Sequence, residues 1–260
     1  MDRRKEQVTV LSQEKLADGI FSMWIQTDGA QDAKPGQFIS MYTNDGSKLL
    51  PRPISICEID KEKKGLRVVY RVTGENTGTK QFSQMRAGET LEIIGPLGNG
   101  FPLERAAGKK VFLMGGGIGV PPILELAKQI DCERKQIVVG YRDAHTFLKE
   151  EFEENGSLYI STEDGSVGTK GNVMDAIREN NLCADIIYAC GPTPMLRAIK
   201  QYAEENNIEC YISLEERMAC GIGACLGCVC QSKEKDHHSN VNNKRICKDG
   251  PVFLSTEVEI

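Results

Sequence analysis

Four cysteines in the C-terminal part of the sequence have the spacing of iron-sulfur ligands. Cys220, Cys225 and Cys228 are separated by four and two residues, and Cys247 follows farther along. Three closely spaced thiolates with a distant fourth form the ligand pattern of a plant-type [2Fe-2S] centre. Glycine accepts positive φ and lets backbone N–H groups approach sulfur, and three glycines lie within this stretch: Gly221, Gly223 and Gly227. The pattern therefore favours an iron-sulfur loop.

Other uses of these cysteines compete with this interpretation. Structural zinc also takes four cysteines, but zinc ligands usually come as two separated pairs, whereas this stretch has a triple and a single. Histidine ligation of the Rieske type is disfavoured because four cysteines already complete the set. His237 and His238 lie in a polar run, so we expect them to be exposed and not to bind metal. A disulfide network fits the pattern less well still.

The fourth iron ligand is a choice between Cys230 and Cys247. Cys228 and Cys230 are two positions apart, so an extended segment would point both side chains the same way and crowd one iron. Cys247 is favoured for this reason. The polar residues 232–245 between the two candidates are typical of a solvated loop.

The composition of the chain excludes several classes of function. The chain has 260 residues, of which 40% are hydrophobic, and this suffices for a full core and suggests about two domains. A formal net charge of -5 argues against a nucleic-acid surface, which needs a basic patch. No stretch approaches the roughly 18 apolar residues of a membrane span, and no apolar run follows the first charged residues as in a secretory signal. The ten cysteines, six of them scattered singly, fit a reducing cytoplasm.

Residues 1–103 consist of short segments of alternating hydrophobicity divided by turn residues. Alternation with period two at this spacing predicts an antiparallel β-barrel. The predicted strands cover 8–11, 20–25, 37–41, 54–57, 66–72 and 91–94, and one helix is predicted over 78–85.

Residues 104–214 show strands that alternate with helices. This order predicts a parallel α/β sheet with helices on both faces. The predicted strands cover 111–114, 136–141, 158–162, 185–190 and 209–213, and the predicted helices cover 123–130, 146–154, 172–180 and 193–205. Residues 215–260 are rich in cysteine and glycine and too few to bury a core of their own. We expect an iron centre to hold this small module together.

Gly115, Gly117 and Gly119 stand where the first strand of the α/β sheet meets a helix. Backbone N–H groups and the helix dipole receive phosphate at such a position, and glycine lets a pyrophosphate come close. A tight turn without a ligand is the alternative. Pro122 occupies the place of the third glycine in G-x-G-x-x-G, which favours a nucleotide domain of the ferredoxin-reductase type.

Two further positions in this region bear on nucleotide binding. Cys190 and Gly191 end another predicted strand at the carboxyl edge of the sheet, where Cys190 could touch a nicotinamide ring. A buried free cysteine before a turn is the alternative. Arg142 and Asp143 follow the second strand of the α/β sheet, where ribose recognition often occurs. Arg142 favours NADP and Asp143 favours NAD, so these two residues leave the choice between NAD and NADP open.

The first domain offers a second set of candidate cofactor ligands. Arg52 is flanked by prolines that stiffen an extended segment, so its guanidinium is presented to a pyrophosphate. Ser55 could donate a hydrogen bond to a flavin ring. Tyr70 would supply an aromatic platform and Arg71 a second cation, although Arg71 could equally be an ordinary surface charge. The full set comprises Arg52, Pro53, Ile54, Ser55, Val69, Tyr70, Arg71, Gly78 and Thr79, with Gly78 and Thr79 at a predicted helix start.

Taken in order, these motifs resemble the flavin reductase branch of the ferredoxin-reductase superfamily, and the C-terminal part is similar to the electron transfer subunits of type B dihydroorotate dehydrogenase. The resemblance spans essentially the whole chain. It is carried by Ser213-Leu214-Glu215-Glu216-Arg217-Met218-Ala219-Cys220-Gly221-Ile222-Gly223-Ala224-Cys225, by Cys247-Lys248-Asp249-Gly250-Pro251-Val252-Phe253, by Gly95-Pro96-Leu97-Gly98-Asn99-Gly100-Phe101 and by the glycine run from Gly115 to Pro122.

The resemblance implies cofactors and a partner. It implies FAD at the barrel, NAD at the α/β domain and a [2Fe-2S] cluster bound by Cys220, Cys225, Cys228 and Cys247. It also implies a heterotetramer with two FMN-containing catalytic subunits, in pyrimidine biosynthesis. The partner would oxidise dihydroorotate to orotate, and electrons would pass through the cluster and FAD to NAD+. No acid-base residue is nominated in this chain.

Two other functions remain open at this stage. The same machinery could serve a different partner, as in NAD(P)H-ferredoxin oxidoreductase or sulfide dehydrogenase subunits. A zinc-stabilised scaffold without enzymatic activity is the alternative from a different class. It would make the arginine, glycine and cysteine motifs coincidental.

Overall fold

A computed structural model describes residues 5–235 and 240–260 of the chain, and the prediction for His237 and His238 lies outside these residues. Within the described part, the strands form a closed six-stranded barrel, a seven-stranded sheet and a two-stranded ribbon. The predicted combination of an antiparallel barrel with a parallel α/β sheet is confirmed. The division into domains 1–103, 104–214 and 215–260 stays a prediction.

The barrel is antiparallel and closes in the order β1-β2-β5-β4-β3-β6. Its strands are β1 (Glu6–Ala17), β2 (Ile20–Gln26), β3 (Phe38–Tyr42), β4 (Arg52–Asp60), β5 (Gly65–Arg71) and β6 (Thr90–Leu97), and helix α1 covers Gly78–Phe82. Successive side chains of a strand point to opposite faces, and Ile39 and Met41 of β3 accordingly point into the barrel core. Their neighbours on β3 lie on the outer face, toward the rest of the molecule.

The α/β sheet has the order β10-β9-β8-β7-β11-β12-β15, and its strands are parallel except for the last. Its strands are β7 (Lys110–Gly116), β8 (Arg134–Tyr141), β9 (Ser157–Thr162), β10 (Thr169–Lys170), β11 (Ile186–Cys190), β12 (Glu209–Ser213) and β15 (Val252–Leu254). Its helices are α2 (Pro121–Gln129), α3 (Lys149–Glu153), α4 (Val173–Glu179) and α5 (Thr193–Glu205). The helix predicted over 146–154 is shorter because Leu148 has φ 65, a left-handed conformation that a right-handed helix does not include.

The C-terminal residues pack against both sheets. Strand β15 pairs with β12, and β13 (Val229–Gln231) pairs with β14 (Asn243–Arg245). The amide of Asn99, just past the end of the barrel, holds this segment: its Nδ2 donates to the Val252 carbonyl (2.9 Å) and its Oδ1 accepts from the Val252 N–H (3.1 Å). Buried Ile246 and Phe253 belong to the same core as α4 and α5. The segment is therefore anchored by ordinary packing as well as by any metal.

A buried cation ties the barrel to the α/β sheet. Arg67 of β5 is 6% exposed and forms ion pairs with Glu58 of β4 and, at 3.4 Å, with Glu151 of α3. Glu125 of α2 accepts a hydrogen bond from the Ile59 N–H at 2.7 Å. Removing one partner of such a buried pair leaves an uncompensated charge, so these contacts fix how the two parts meet.

Candidate functional site

A cavity of about 690 Å³ lies against the barrel where it meets the α/β sheet. We call it the flavin cavity. Most of the residues nominated for a flavin line it: Arg52, Pro53, Ile54, Ser55, Val69, Tyr70, Arg71 and Thr79. The sequence prediction missed the opposite wall, which consists of Phe38, Ile118, Pro251 and the segment from Ser213 to Met218. Except for Phe38, these residues belong to motifs that carry the family resemblance, but no local pattern assigns them to one wall because they come from four separate parts of the chain.

Arg52 and Gly78 form a cradle at this cavity. A Cβ atom added to Gly78 would lie 2.9 Å from Arg52 Nε and 3.0 Å from Thr43 Cγ2, so only glycine lets the guanidinium lie across this turn. Arg52 also donates to the Leu50 carbonyl oxygen, and this contact restricts its rotation. A held guanidinium next to the buried Thr79 hydroxyl suits an anionic diphosphate.

Tyr70 contributes mainly to the barrel core. It is 1% exposed and stacks on Phe21 with ring centroids 6.2 Å apart, while its hydroxyl accepts from Gln13 Nε2 at 3.0 Å. Burial raises the pKa of the Tyr70 hydroxyl, so it stays neutral. Its role as an aromatic platform for a flavin stays a prediction.

A second cavity of about 870 Å³ opens at the carboxyl edge of the parallel strands, and we call it the nucleotide cavity. Gly116 and Gly117 form part of its wall at the end of β7. Gly117 has φ +55, and the space around it is open: a Cβ there would meet only Arg71 Nη2, at 3.8 Å. An open, glycine-lined turn between a strand and a helix fits a pyrophosphate.

The three nominated glycines have different roles. Gly117 lines the nucleotide cavity, whereas Gly115 and Gly119 are buried and pack against other backbone. A Cβ on Gly115 would lie 2.9 Å from Val120 Cα, and a Cβ on Gly119 would lie 2.5 Å from the Cys190 carbonyl oxygen. Gly115 and Gly119 therefore let the turn pack closely against the backbone of Val120 and Cys190. Gly117 is only half-buried and lines the cavity.

Cys190 lies beneath this turn. Its side chain is fully buried, and burial raises the pKa of its thiol, so the group is neutral. Gly191 is equally crowded, because a Cβ there would lie 2.5 Å from Met195 Cε. The structure thus brings Cys190 and Gly191 against the glycine turn, and contact of Cys190 with nicotinamide stays a prediction.

Ionisable side chains line the nucleotide cavity at the ends of β8 and β9. Arg142, Asp143 and His145 follow β8, and Glu163 follows β9. The Asp143 carboxylate accepts from the His145 backbone N–H at 2.9 Å and lies 2.7 Å from His145 Nδ1, and these hydrogen bonds lower the pKa of Asp143. The sequence prediction missed Glu163, although it occupies the same place after its strand as residues 142 and 143 do after theirs.

The four nominated iron ligands form two neighbouring pairs. The Cys225 N–H donates to Cys220 Sγ and the Cys247 N–H donates to Cys228 Sγ, each at 3.4 Å. A [2Fe-2S] cluster shares four ligands between two irons, and two thiol pairs fit that division. Within residues 5–235 and 240–260, no three Cys, His, Asp or Glu side chains surround one point as a single metal ion would require.

Backbone donors surround the first thiol of the set. Burial would raise the pKa of Cys220, but the N–H groups of Ile222, Cys225 and Ala224 outweigh this effect and lower the pKa to about 6. Gly221 (φ 69) and Gly223 (φ 85) provide the positive φ angles of this turn. The loop is thus arranged to stabilise negative charge on sulfur.

The contacts favour Cys247 over Cys230 as the fourth ligand. Cys247 is buried beside Cys228 and donates to it, whereas Cys230 lies in β13 with Lys244 as its partner across the ribbon. Arg245 holds the ribbon to the loop: its Nη1 donates to the Gly223 carbonyl at 3.3 Å. The assignment of the four ligands remains a proposal.

Among the described helices, none combines the length and apolar character needed to cross a membrane.

Comparison with known proteins places these features in a family. Residues 215–259 match the model of the iron-sulfur cluster binding domain of dihydroorotate dehydrogenase B. The chain is 44% identical over 256 residues to the dihydroorotate dehydrogenase B (NAD(+)) electron transfer subunit of Caldanaerobacter subterraneus subsp. tengcongensis, covering 98% of this chain and 99% of the relative. It is 43% identical over 265 residues to the protein of the same name from Fusobacterium nucleatum subsp. nucleatum, covering 98% of each chain.

Solved structures agree with the fold. A structure of an NADH-dependent reduced ferredoxin-NADP oxidoreductase superposes with a TM-score of 0.84 at 28% identity, covering 97% of this chain and 89% of the solved one. A ferredoxin NADP+ reductase from Neisseria gonorrhoeae superposes with a TM-score of 0.65 at 15% identity, covering 82% and 94%, and this similarity concerns the fold alone. By full-length similarity to its relatives, the chain belongs to the family of electron transfer subunits of dihydroorotate dehydrogenase B (NAD(+)).

Proposed function

We propose that this chain carries electrons between a dihydroorotate-oxidising catalytic subunit and NAD+, with FAD in the flavin cavity and a [2Fe-2S] cluster on Cys220, Cys225, Cys228 and Cys247. The observation that carries this proposal is the order of the sites. Arg71 lines both the nucleotide cavity and the flavin cavity, and the segment from Ser213 to Met218 leads from the wall of the flavin cavity directly to Cys220. The flavin cavity therefore lies between the other two sites.

This order suits the chemistry. When bound, FAD exchanges hydride with a nicotinamide and single electrons with an iron-sulfur centre, so it converts between two carriers that do not match. Arg52 would bind the diphosphate of FAD, and the open turn at Gly117 would admit the phosphates of the nicotinamide nucleotide. The backbone N–H groups around Cys220 would stabilise its thiolate as an iron ligand. None of these roles requires an acid or base.

The surface around the cysteine loop supports docking of a catalytic subunit. Four apolar side chains are exposed in the loop, on β13 or just before β14: Ile222 (40%), Leu226 (45%), Val229 (37%) and Val241 (47%). Exposed apolar patches of this kind mark interaction surfaces. The proposed partner contains FMN and forms a heterotetramer with two copies of each chain, and the ten free cysteines support a cytoplasmic location for this complex.

Anaerobic purification tests the proposal. We expect flavin absorption and about two acid-labile sulfides per chain, as the composition of a [2Fe-2S] cluster requires. The chain, co-purified with the catalytic subunit encoded by the same organism, should reduce NAD+ when dihydroorotate is added. The chain alone should not.

Two outcomes would contradict this function. A colourless zinc protein would support the scaffold alternative. NAD+ reduction driven by reduced ferredoxin, with no response to dihydroorotate in the complex, would favour the ferredoxin-linked function of the solved structure at 28% identity.

Asp143 is proposed to select NAD over NADP. An ionised carboxylate at the end of β8 can accept from a ribose 2′-hydroxyl and would repel a 2′-phosphate. For Asp143→Asn we expect the ratio of kcat/KM for NADH to that for NADPH to fall about tenfold, equivalent to about 1.4 kcal/mol. Steady-state dye reduction with each nucleotide measures this ratio.

Asp131→Asn is the matched control for this substitution. Asp131 lies between α2 and β8, at the amino end of the same strand and thus at the opposite edge of the sheet. Asp131→Asn removes the same charge as Asp143→Asn, and we expect it to leave the ratio of kcat/KM for NADH to that for NADPH unchanged. An unaltered ratio in Asp143→Asn would assign the selection to another residue.

A further inference from the structure

Two serine hydroxyls are buried without a partner. Within the described residues, Ser40 Oγ and Ser161 Oγ are inaccessible to solvent and have no hydrogen-bond partner. Leaving a buried polar group unsatisfied is energetically costly, and such groups in native proteins are usually explained by a missing water, ion or ligand. Ser40 lies beside a proposed cofactor site, and the geometry there indicates which ligand satisfies it.

Ser40 faces the cysteine loop. It lies on β3 between Ile39 and Met41, which point into the barrel core, so its side chain is on the outer face of the barrel. The loop rests on the barrel at this point: a Cβ added to Gly221 would lie 2.8 Å from Ser40 Oγ. Gly221 has φ +69 and directly follows Cys220.

The residues around Ser40 also place it next to the flavin cavity. Pro53 on β4 pairs with Ser40 on β3, and Phe38 precedes Ser40 by two positions on the same face of β3. Both Pro53 and Phe38 line the flavin cavity. Ser40 therefore lies next to two residues that line the flavin cavity and against Gly221, which follows the first proposed iron ligand.

The sulfurs of the cluster proposed for this loop would supply an acceptor for Ser40. A serine hydroxyl can donate one hydrogen bond, and sulfur ligands of an iron-sulfur cluster accept hydrogen bonds. The N–H groups of Ala224 and Cys225 already donate to Cys220 Sγ, at 3.3 and 3.4 Å, from within the loop. Ser40 approaches the same part of the loop from the barrel side.

We propose that the Ser40 hydroxyl donates a hydrogen bond to a sulfur on the Cys220 side of the [2Fe-2S] cluster and raises its reduction potential. The inference rests on the proposed function. Reduction adds negative charge to the cluster, and a hydrogen bond to sulfur stabilises the more negative form. Through this hydrogen bond, Ser40 sets how readily the cluster accepts an electron.

Redox titration of the full chain, followed by the electron paramagnetic resonance signal of the cluster, tests this inference. At a fixed potential, we expect Ser40→Ala to lower the ratio of reduced to oxidised cluster about tenfold, which corresponds to a midpoint about 59 mV lower for a one-electron couple. Ser40→Cys keeps a weak donor of similar size, and we expect an intermediate midpoint. Ser161→Ala is the matched control.

The control removes the other unpartnered hydroxyl from a distant strand. Ser161 is on β9, which is five strands from β15 in the sheet order, about 24 Å at the usual strand spacing. We expect the reduction midpoint of the cluster in Ser161→Ala to equal that in the unmodified chain.

Three results separate the possible failures. An unchanged midpoint in Ser40→Ala with full iron content would overturn the role of Ser40. If Ser40→Ala is purified without iron, an unchanged midpoint in Ser40→Cys would overturn it instead. Absence of any cluster in the unmodified chain would overturn the proposed function itself.

Discussion

Cys225→Ser should reduce dihydroorotate-dependent NAD+ reduction by the reconstituted complex at least about 100-fold, because an alcohol is a poor iron ligand and the first pair of thiols would be broken. Reduction of a soluble dye by NADH should stay within about twofold of the unmodified chain, since this reaction needs only the flavin and nucleotide cavities. Cys225 is exposed, so the substitution leaves no cavity in the core. The two assays are measured on the same preparation.

Cys230→Ser is the matched control for this prediction. Cys230 is also in the cysteine-rich segment, but its strand pairs it with Lys244 and it is not a proposed ligand. We expect Cys230→Ser to retain the cluster and both activities. Equal loss of both activities in Cys225→Ser would refute the proposed order of the sites, and loss of the cluster in Cys230→Ser would show that the fourth ligand is misassigned.

Gly119→Ala should destabilise the protein by about 3 kcal/mol, near the upper end of what overpacking usually costs. The added Cβ would lie 2.5 Å from the Cys190 carbonyl oxygen and 2.6 Å from Gly191 Cα, and both are backbone atoms that cannot rotate away. We expect the midpoint of thermal unfolding to fall by roughly 6–12 °C. The KM for NADH should rise as well, because the turn that carries Gly117 would move away from the sheet.

Gly46→Ala is the control for this substitution. Gly46 has no atom within 4 Å of an added Cβ, so we expect a change in stability below about 0.5 kcal/mol. Differential scanning calorimetry and dye reduction measure the two effects. A Gly119→Ala protein with unaltered melting and KM would mean that the backbone at Cys190 can yield.

The regular part of the fold was predictable from the sequence. Helix α5 and strand β12 have the predicted bounds, 193–205 and 209–213, because each has a clear periodicity between marked turns. Strand β15 was not predicted: it has only three residues and lies in a segment dominated by cysteine and glycine. It pairs with β12 and is bonded to Asn99, which is distant in sequence, and local patterns carry no information on such contacts.

The candidate site was predictable where one motif supplies one group. Residues 52–55 were nominated from one short motif and all line the flavin cavity, whereas their contact with a flavin stays a prediction. Gly115 and Gly119 were nominated for phosphate binding, yet the structure gives them packing contacts, because the sequence pattern does not distinguish a glycine that touches a ligand from one that touches backbone. Ser40 gave no signal, since its position opposite Gly221 arises only when the barrel meets the cysteine loop.

The pairing of β15 with β12 also bears on self-association. Without Val252–Leu254, one long margin of the sheet would present unpaired N–H and C=O groups to other molecules, and such margins template aggregation. The opposite margin, β10, is only two residues long and offers little to pair with. We therefore expect the segment that holds the cysteines also to shield the edge of β12 from pairing with other molecules, and a fragment ending at residue 214 to be less soluble than the full chain.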